Sequence, residues 1–440
     1  MNASPFVTGR TAPRIPSEVK ALLIALQLSK PDTSSLMRLS DEEWTRLLPF
    51  CNIAHLTLSI AQLPSNGFPQ WVVEQLRTNL ADNALRFKRI KATYREAAKA
   101  LDRAGVEHIV IKGFTQSPDY VAHPRFRAQS DIDIFCPPNS ILAARDALYA
   151  IGYKSSGVKV HYAYNDHIAA LVRLGDWRWR GNPFDPEMPL GIELHYCFWN
   201  ESNLRIRVPE VDRFWERRTT REIEGFSFPC LSPFDQLSYF SLHILRNVFI
   251  FDWIIHHVRE LAVFLHSHAD DDGFWQIWHE THSTSLRSYE AIAFFYARSW
   301  FDCRLHPLAA HEIDKLPATR LSCLQCFSGA ALEIMFDQNK KSVWLHLSLL
   351  SSRREKWKVL KRALLPRQIG SIRSPSVNVR NKRVLLSAGR PLWQQYIAYL
   401  LSRSADYGRV GIITLWRGLS WHLSRHFRTL SPVVNGHNTY

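Results

Sequence analysis

The sequence contains no long run of apolar residues. Nowhere do about 18 uncharged apolar residues follow one another, which is the length that a transmembrane helix needs. The best run, Val248–Ile255, is short and contains Asp252. The N-terminus also lacks the succession of basic, apolar and small residues that marks a secretory signal. We therefore expect a cytoplasmic protein, for which peripheral attachment is the remaining route to a membrane.

Paired cysteines are scarce as well. Seven cysteines are scattered along the 440 residues, and only Cys323 and Cys326 form a C-x-x-C pair. Structural zinc needs four ligands, and no second pair stands at a suitable spacing. Buried free cysteines are the simpler interpretation, so we expect no zinc site here.

Acidic residues are nearly absent from the last hundred positions. Residues 341–440 hold 18 Lys or Arg but only Glu355 and Asp406, a net charge of +16, whereas the first 340 residues carry −1. The excess positive charge is therefore a property of the C-terminal quarter. We expect a polyanionic partner, either RNA or an anionic membrane surface, to bind there through residues 366–440.

A helix predicted from about Gly411 to Arg428 has two chemically different sides. Its apolar side carries Ile412, Trp416, Leu419, Leu423 and Phe427. Its basic side carries Arg417, Arg425 and Arg428. Either the apolar side docks on the protein core, or the helix lies on an anionic membrane or along a polyanion. If the apolar side is buried, only the arginines are left to bind a partner, which favours RNA. If it is exposed, a membrane surface is favoured.

The remainder has the composition of a globular protein, with 46% hydrophobic and 22% charged residues. Helical patterns fill residues 1–104, where residues 40–43 form a capping box, and residues 233–365. Between them, residues 105–232 alternate β-branched strands with helices. The expected fold class is α+β: a small mixed sheet flanked by N- and C-terminal helical regions, followed by a basic tail over 366–440.

Three acids stand in otherwise apolar strands. Residues 131–135 read DIDIF, and because side chains alternate along a strand, Asp131 and Asp133 share one face. Glu193 lies in a similar segment, GIELHY, over 191–196. Neighbouring carboxylates repel each other unless a cation lies between them, and such oxygen ligands suit Mg²⁺ or Mn²⁺. If the two strands are neighbours, the three acids can hold two metals for an in-line displacement at phosphorus.

Candidate phosphate contacts lie around the first two acids. Lys112 and Gly113 end a strand; the glycine lets backbone N–H groups approach a phosphate closely, and the lysine either grips a triphosphate or ends the strand in solvent. Arg127 either clamps a phosphate with two hydrogen bonds or pairs with Asp131. Ser130 directly precedes the first carboxylate.

This ordered set resembles the family of uncharacterised bacterial nucleotidyltransferases. Residues 110–113 (VIKG), 127–134 (RAQSDIDI) and 192–195 (IELH) are similar to the family's hydrophobic strand with Leu-Lys-Gly, its Arg-x-x-Ser-Asp-Ile-Asp and its later Asp-Leu-His. The resemblance is specific over 105–196 and loose over 40–365. Two departures stand out: the third acid is Glu where Asp is usual, and Gly-Phe-Thr replaces the superfamily's Gly-Ser loop.

The resemblance implies a DNA polymerase beta-like fold and metal-dependent transfer of a nucleoside monophosphate from an NTP. It implies that Asp131 and Asp133 bind Mg²⁺ or Mn²⁺ and that Glu193 is the third catalytic and metal-binding carboxylate. His195, on the face of Glu193, acts on the acceptor side or is a hydrogen-bonded scaffold residue. The expected nucleotide-binding residues are Lys112, Gly113, Arg127 and Ser130.

The sequence does not identify the acceptor of the nucleoside monophosphate. A hydroxyl in cell-surface polysaccharide or natural-product metabolism is expected. One alternative is an RNA-directed, tRNA-modifying transferase of toxin type, which the basic tail favours. Another is a catalytically inactive scaffold that binds a membrane or a partner through that tail. Repulsion between neighbouring carboxylates further predicts that Asp133→Asn stabilises the metal-free protein.

Overall fold

The computed structural model describes residues 15–156, 165–173, 175–337, 339–364 and 408–424. These residues form two compact units: unit 1 lies within residues 15–247 and 254–316, and unit 2 comprises residues 248–253 and the described residues from 317 onward. The four-part division drawn from the sequence stays a prediction. No helix of the described ranges is long and apolar enough to cross a membrane.

Unit 1 begins with helices, as the sequence predicts. They are α1 (Ser17–Ala25), α2 (Ser34–Met37), α3 (Asp41–Ile53), α4 (Thr57–Ile60) and α5 (Gln70–Arg103). The predicted capping box is confirmed: the Glu43 N–H donates to Ser40 Oγ and the Ser40 N–H donates to the Glu43 carboxylate. Two otherwise orphaned donors are thereby satisfied where α3 begins.

One mixed sheet of seven strands forms the centre of unit 1, in the order β3-β4-β5-β2-β1-β7-β6. The strands are β1 (Ile109–Val110), β2 (Asp131–Phe135), β3 (Lys154–Ser155), β4 (Leu171–Val172), β5 (Gly191–His195), β6 (Thr219–Ile223) and β7 (Phe226–Cys230). β2 with β5 and β1 with β7 are parallel pairs, and the other neighbours are antiparallel. A mixed sheet with many helices is consistent with the predicted α+β class.

The two faces of the sheet differ chemically. On one face, Ile132 and Ile134 of β2 lie beside Ile192 and Leu194 of β5, all fully buried. They join one hydrophobic core with apolar residues of α5 and of α6 (Ile141–Ala150). Because side chains alternate along each strand, the polar residues between these positions lie on the opposite face.

The predicted central strands are confirmed, and other strands were missed. β2 occupies the predicted residues 131–135 and β5 ends one residue early, whereas the strand predicted to end at Lys112 and Gly113 contains only two β residues. The β6–β7 hairpin was not predicted. β6 is mostly exposed and rich in Thr, Arg and Glu, and Pro229 interrupts the pattern of β7, so neither strand has the apolar alternation that sequence reasoning detects.

The short helix α7 (Glu201–Leu204) lies between β5 and β6, and five helices follow the sheet: α8 (Pro233–Ile250), α9 (Ile255–Ser267), α10 (Asp272–Thr281), α11 (Thr284–Phe301) and α12 (Pro307–Asp314). A charged cluster is buried among them. The imidazole of His282 lies 3.5 Å from Asp235 Oδ1 and 3.4 Å from Glu290 Oε1, with all three side chains excluded from solvent. Burial alone would lower the pKa of His282, but Glu290 and Asp235 raise it to about 9.

Unit 2 contains α13 (Ala318–Phe327), α14 (Ala330–Glu333), α15 (Val343–Leu349), α16 (Arg353–Leu364) and α17 (residues 408–424). Cys323 is buried and Cys326 exposed on α13, both as free thiols, and neither belongs to a possible metal-ligand group of the described residues. Most of the basic tail lies outside those residues, as do Phe427, Arg425 and Arg428 of the predicted amphipathic helix.

Over residues 408–424, the apolar side of α17 is exposed, which corrects the first interpretation of that helix. The docked side is formed by Thr414, Gly418 and Trp421. The ring of Trp344 lies so close to Gly418 that a Cβ atom there would be 1.9 Å from it, and Trp344 Nε1–H donates to the Thr414 carbonyl at 3.0 Å. Because only a glycine lets the indole approach this closely, the helix turns its larger apolar residues to solvent.

His282→Leu should destabilise the protein by about 3 kcal/mol at neutral pH, because it leaves the buried Glu290 without a cation, whereas Asp235 keeps its ion pair with Arg217. In the wild type, the folded-state pKa lies above the ordinary value of 6.5. The stabilisation is therefore complete below pH 6.5 and is lost as the pH rises through about 9. Urea unfolding across this range measures it. Exposed His311→Leu is the control, and equal pH profiles for wild type and His282→Leu would contradict the prediction.

Candidate active site

The parallel pairing of β2 with β5 brings three acids together. In register, Asp131 lies opposite Gly191, Asp133 opposite Glu193, and Phe135 opposite His195. Side-chain alternation places Asp131, Asp133, Glu193 and His195 on the face opposite the apolar core. The two segments identified in the sequence are thus direct neighbours.

The carboxylates crowd one another. Burial, together with the charges of Asp133 and Glu193, raises the pKa of Asp131 to about 7. Asp133, Glu193 and His195 offer ligand atoms that all lie within 4.8 Å of one another. Asp131 is not part of that tightest group. Repulsion of this kind is what a divalent cation relieves, and carboxylate oxygens are the donors that suit Mg²⁺ or Mn²⁺.

Asp133 is held by two donors. Lys112 Nζ lies 2.6 Å from its Oδ1, and His195 Nε2–H donates to the same oxygen at 2.9 Å. Burial alone would raise the pKa of Asp133, but Lys112 and His195 hold it well below its usual range. Lys112 therefore does not end its strand in solvent. His195 is 1% exposed, and the hydrogen-bonded scaffold role matches this geometry.

A family profile described as an uncharacterised nucleotidyltransferase matches residues 40–302. That range is more than half of the chain and contains the whole sheet. The chain belongs to this nucleotidyltransferase family. No curated protein and no solved structure shows a significant match to it.

In unit 1, a second acid group borders the carboxylates. Asp166 is almost fully buried and pairs with Arg246 of α8, whose Nη2 lies 3.1 Å from Asp166 Oδ1. Asp166 Oδ2 lies 3.9 Å from His195 Nδ1, and His167 Nε2 lies 3.8 Å from Glu193 Oε2. Sequence reasoning gave Asp166 no role. The sequence signal that could have indicated it was Arg246, because an arginine in the apolar helix α8 needs an acid as its partner when it is buried.

The predicted nucleotide-binding residues are not all placed as expected. Arg127 pairs with Glu260 rather than Asp131, its Nε lying 2.9 Å from Glu260 Oε1. Ser130 is exposed beside the first carboxylate. Gly113 has a left-handed backbone with φ +72°, and a Cβ atom there would lie 2.2 Å from the Gln129 side-chain nitrogen.

Gly113 thus has a packing reason that the sequence did not reveal. The side chain of Gln129 fills the space beside it, and Gln129 Nε2–H donates to the Asp131 carbonyl at 2.6 Å. The glycine therefore supports the position of β2 through Gln129. A phosphate-binding role for Gly113 stays a prediction.

Gly113→Ala should destabilise the protein by about 3 kcal/mol, because it adds a clash with Gln129 to the strain of a left-handed backbone. Gly105→Ala is the matched control: its φ is +66°, but a Cβ atom there meets nothing within 4 Å, so we expect a loss of about 1 kcal/mol. Thermal or urea unfolding measures both. Equal losses for the two variants would show that the contact with Gln129 is unimportant.

Proposed function

We propose that this protein transfers a nucleoside monophosphate from an NTP to an acceptor hydroxyl, with Mg²⁺ or Mn²⁺ as cofactor. The single observation that carries the proposal is the in-register convergence of Asp131, Asp133 and Glu193 on the polar face of β2 and β5. Membership of a nucleotidyltransferase family supports the reaction class. The DNA polymerase beta-like placement belongs to the same proposal.

Asp131, Asp133 and Glu193 would hold the metal, and His195 positions Asp133 by donating to its Oδ1. When bound, the cation favours the deprotonated form of the acceptor hydroxyl and neutralises charge that develops on the phosphates. The crowding that raises the pKa of Asp131 is the physical sign that the site suits added positive charge.

The reaction balances with groups on this face. The acceptor oxygen forms a bond to the α-phosphorus, the bond to the β-phosphate oxygen breaks, and pyrophosphate leaves with the electron pair. The side chain of Glu193 is 24% exposed, against 6% for that of Asp133, and it is placed to take the hydroxyl proton. Lys112 and His195 orient Asp133 through their contacts with Oδ1.

The acceptor remains part of the proposal, as a hydroxyl in cell-surface polysaccharide or natural-product metabolism. The basic C-terminal quarter supports the RNA-directed alternative only through its charge. Incubating the protein with each labelled NTP, Mg²⁺ and cell lysate, and identifying the labelled product, tests the acceptor class. A labelled tRNA would favour the RNA-directed transferase over a small-molecule or polysaccharide acceptor.

Asp131→Asn and Asp133→Asn should both abolish transfer but change stability in opposite directions. Asp131→Asn removes a repelled charge and should stabilise the metal-free protein by roughly 2 kcal/mol. Asp133→Asn leaves the buried Lys112 without its anion and should destabilise it by about 3 kcal/mol. This corrects the expectation that Asp133→Asn is stabilising, because the sequence does not reveal the contact with Lys112.

Thermal unfolding in EDTA, and again with Mg²⁺ and NTP, measures both effects. The wild type should be stabilised by Mg²⁺ with NTP, and neither variant should show the full shift. Exposed Asp146→Asn on α6 is the control and should behave like the wild type. A wild type without any metal-dependent nucleotide shift would overturn the enzyme proposal and favour the inactive scaffold.

A further inference from the structure

A wall of histidines stands beside the carboxylates in unit 1. The ring of His257 lies 4.8 Å from that of His243 and 3.8 Å from that of His256, and His256 lies 4.9 Å from His55. His243 belongs to α8 and His256 and His257 to α9. His55 is exposed at one end of the row. Four imidazoles thus form one continuous row, which we call the histidine wall.

Two imidazoles of this wall have unsatisfied buried atoms. Within the described residues, Nδ1 of His256 and Nδ1 of His257 have no hydrogen-bond partner. The carboxylate oxygen Glu260 Oε2 lies 3.9 Å from His257 Nδ1, beyond hydrogen-bond distance. Buried polar atoms are normally paired, so these two call for a ligand atom, which is an acceptor where Nδ1 carries the proton.

Arg127 and Lys112 stand near the same wall, and each is paired with a carboxylate: Arg127 with Glu260 and Lys112 with Asp133. Burial, and then Arg127 and Lys112, hold the pKa of His257 well below its usual range. Neutral imidazoles keep one N–H each, so the wall is a row of neutral donors. Arg127 also acts on Asp131, whose pKa it lowers against the larger effect of burial. The wall is therefore linked electrostatically to the carboxylate face, and its chemistry favours an anion that spans several donors.

We propose that Arg127 and the histidine wall bind the polyphosphate of the nucleotide. This inference rests on the proposed nucleotidyl transfer and gives it a phosphate site. The space that a Cβ of Gly113 would occupy is filled by Gln129. The donors of the proposed phosphate site come from Arg127, which precedes β2, and from the wall, three of whose histidines lie on α8 and α9.

The test is calorimetric binding of inorganic tripolyphosphate in EDTA to the full chain. His256→Leu should weaken binding about tenfold, the equivalent of one lost charge-assisted hydrogen bond. His256→Asn, whose amide can donate from the position of Nδ1, should recover most of the affinity. His266→Leu, on the same helix α9 but outside the wall, is the matched control and should bind like the wild type.

The outcomes separate this inference from the function on which it rests. Equal affinity of His256→Leu and wild type for tripolyphosphate would overturn it, and so would metal–NTP binding by a wild type that does not bind tripolyphosphate. Nucleotidyl transfer would survive either result. A wild type that binds neither ligand would overturn both proposals. Melting curves in buffer confirm that each variant is folded.

A separate observation concerns α17 of unit 2, whose solvent side is apolar. Ile412 is 70% exposed and Trp416 68%, and Leu419 and Leu423 are about half exposed. Soluble proteins rarely present such a row of large side chains to water without a binding role. The opposite side of the helix is held by Trp344 and by Trp421, whose Nε1–H donates to Ser322 Oγ at 3.1 Å.

The charge of this region identifies the partner that fits. Residues 341–440 carry +16, and α16 alone has six Lys or Arg against Glu355. Trp357, on α16, is 65% exposed. Large apolar side chains among cations match the boundary between acyl chains and anionic headgroups. RNA would be bound by the cations and would stack only on the tryptophans, so Ile412, Leu419 and Leu423 would have no function in that complex.

We infer that unit 2 binds the surface of an anionic membrane, with the apolar row of α17 inserted below the headgroups. Sedimentation of the full chain with vesicles tests this, comparing phosphatidylcholine alone with phosphatidylcholine plus phosphatidylglycerol. The wild type should bind the anionic vesicles, less tightly at high salt. Trp416→Ser combined with Leu419→Ser should weaken binding at least about tenfold, since it removes two apolar groups that insertion into the membrane would bury.

Leu142→Ser is the control, because Leu142 of α6 is 57% exposed but lies in unit 1. It should bind vesicles like the wild type, and all three proteins should melt at similar temperatures. Vesicle binding that is unchanged in the double variant would overturn the inference. Binding of the wild type to an RNA homopolymer but not to anionic vesicles would overturn it too, and would assign the basic region to RNA.

Discussion

Repulsion among carboxylates on the polar face of β2 and β5 is the constraint on which the rest of the site depends. The parallel register sets Asp133 against Glu193, with Asp131 two residues away on the same face. Low-dielectric surroundings make such proximity expensive unless cations are supplied. Lys112 and His195 supply donors to Asp133, while the pKa of Asp131 stays raised. The charge of Asp133 is thus compensated within the protein, whereas Asp131 remains crowded by like charges.

The opposite face and the long helix α5 hold this arrangement in place. Arg86, on α5, is almost fully buried, and its guanidinium donates to the carbonyls of Gln129, Asp185 and Met188 at 2.8, 3.1 and 2.9 Å. Those carbonyls stand just before β2 and β5. Arg86 thereby connects the segments that precede β2 and β5 to the helix that covers the apolar face. Gln129 in turn packs against Gly113 and donates to the Asp131 carbonyl.

The helices after the sheet contribute to the site as much as the strands do. α8 supplies Arg246, which neutralises Asp166 beside His195, and α9 supplies Glu260, which pairs with Arg127. The family match ends at residue 302 and so includes these helices. It excludes the basic quarter of the chain, where α17 presents its apolar row. The inferences about phosphate and about membrane therefore concern separate parts of the molecule.

Local pattern alone predicted β2, β5, the capping box of α3 and the shared face of Asp131 and Asp133, because alternation and capping depend on residues close in sequence. The polar β6–β7 hairpin lacked that alternation. Tertiary structure decided what lies across the fold: Lys112 against Asp133, Arg127 against Glu260 and Gln129 beside Gly113. It also decided which side of α17 is docked, since the fit of the Trp344 ring against Gly418 outweighs the burial of larger apolar residues that hydrophobic periodicity would predict.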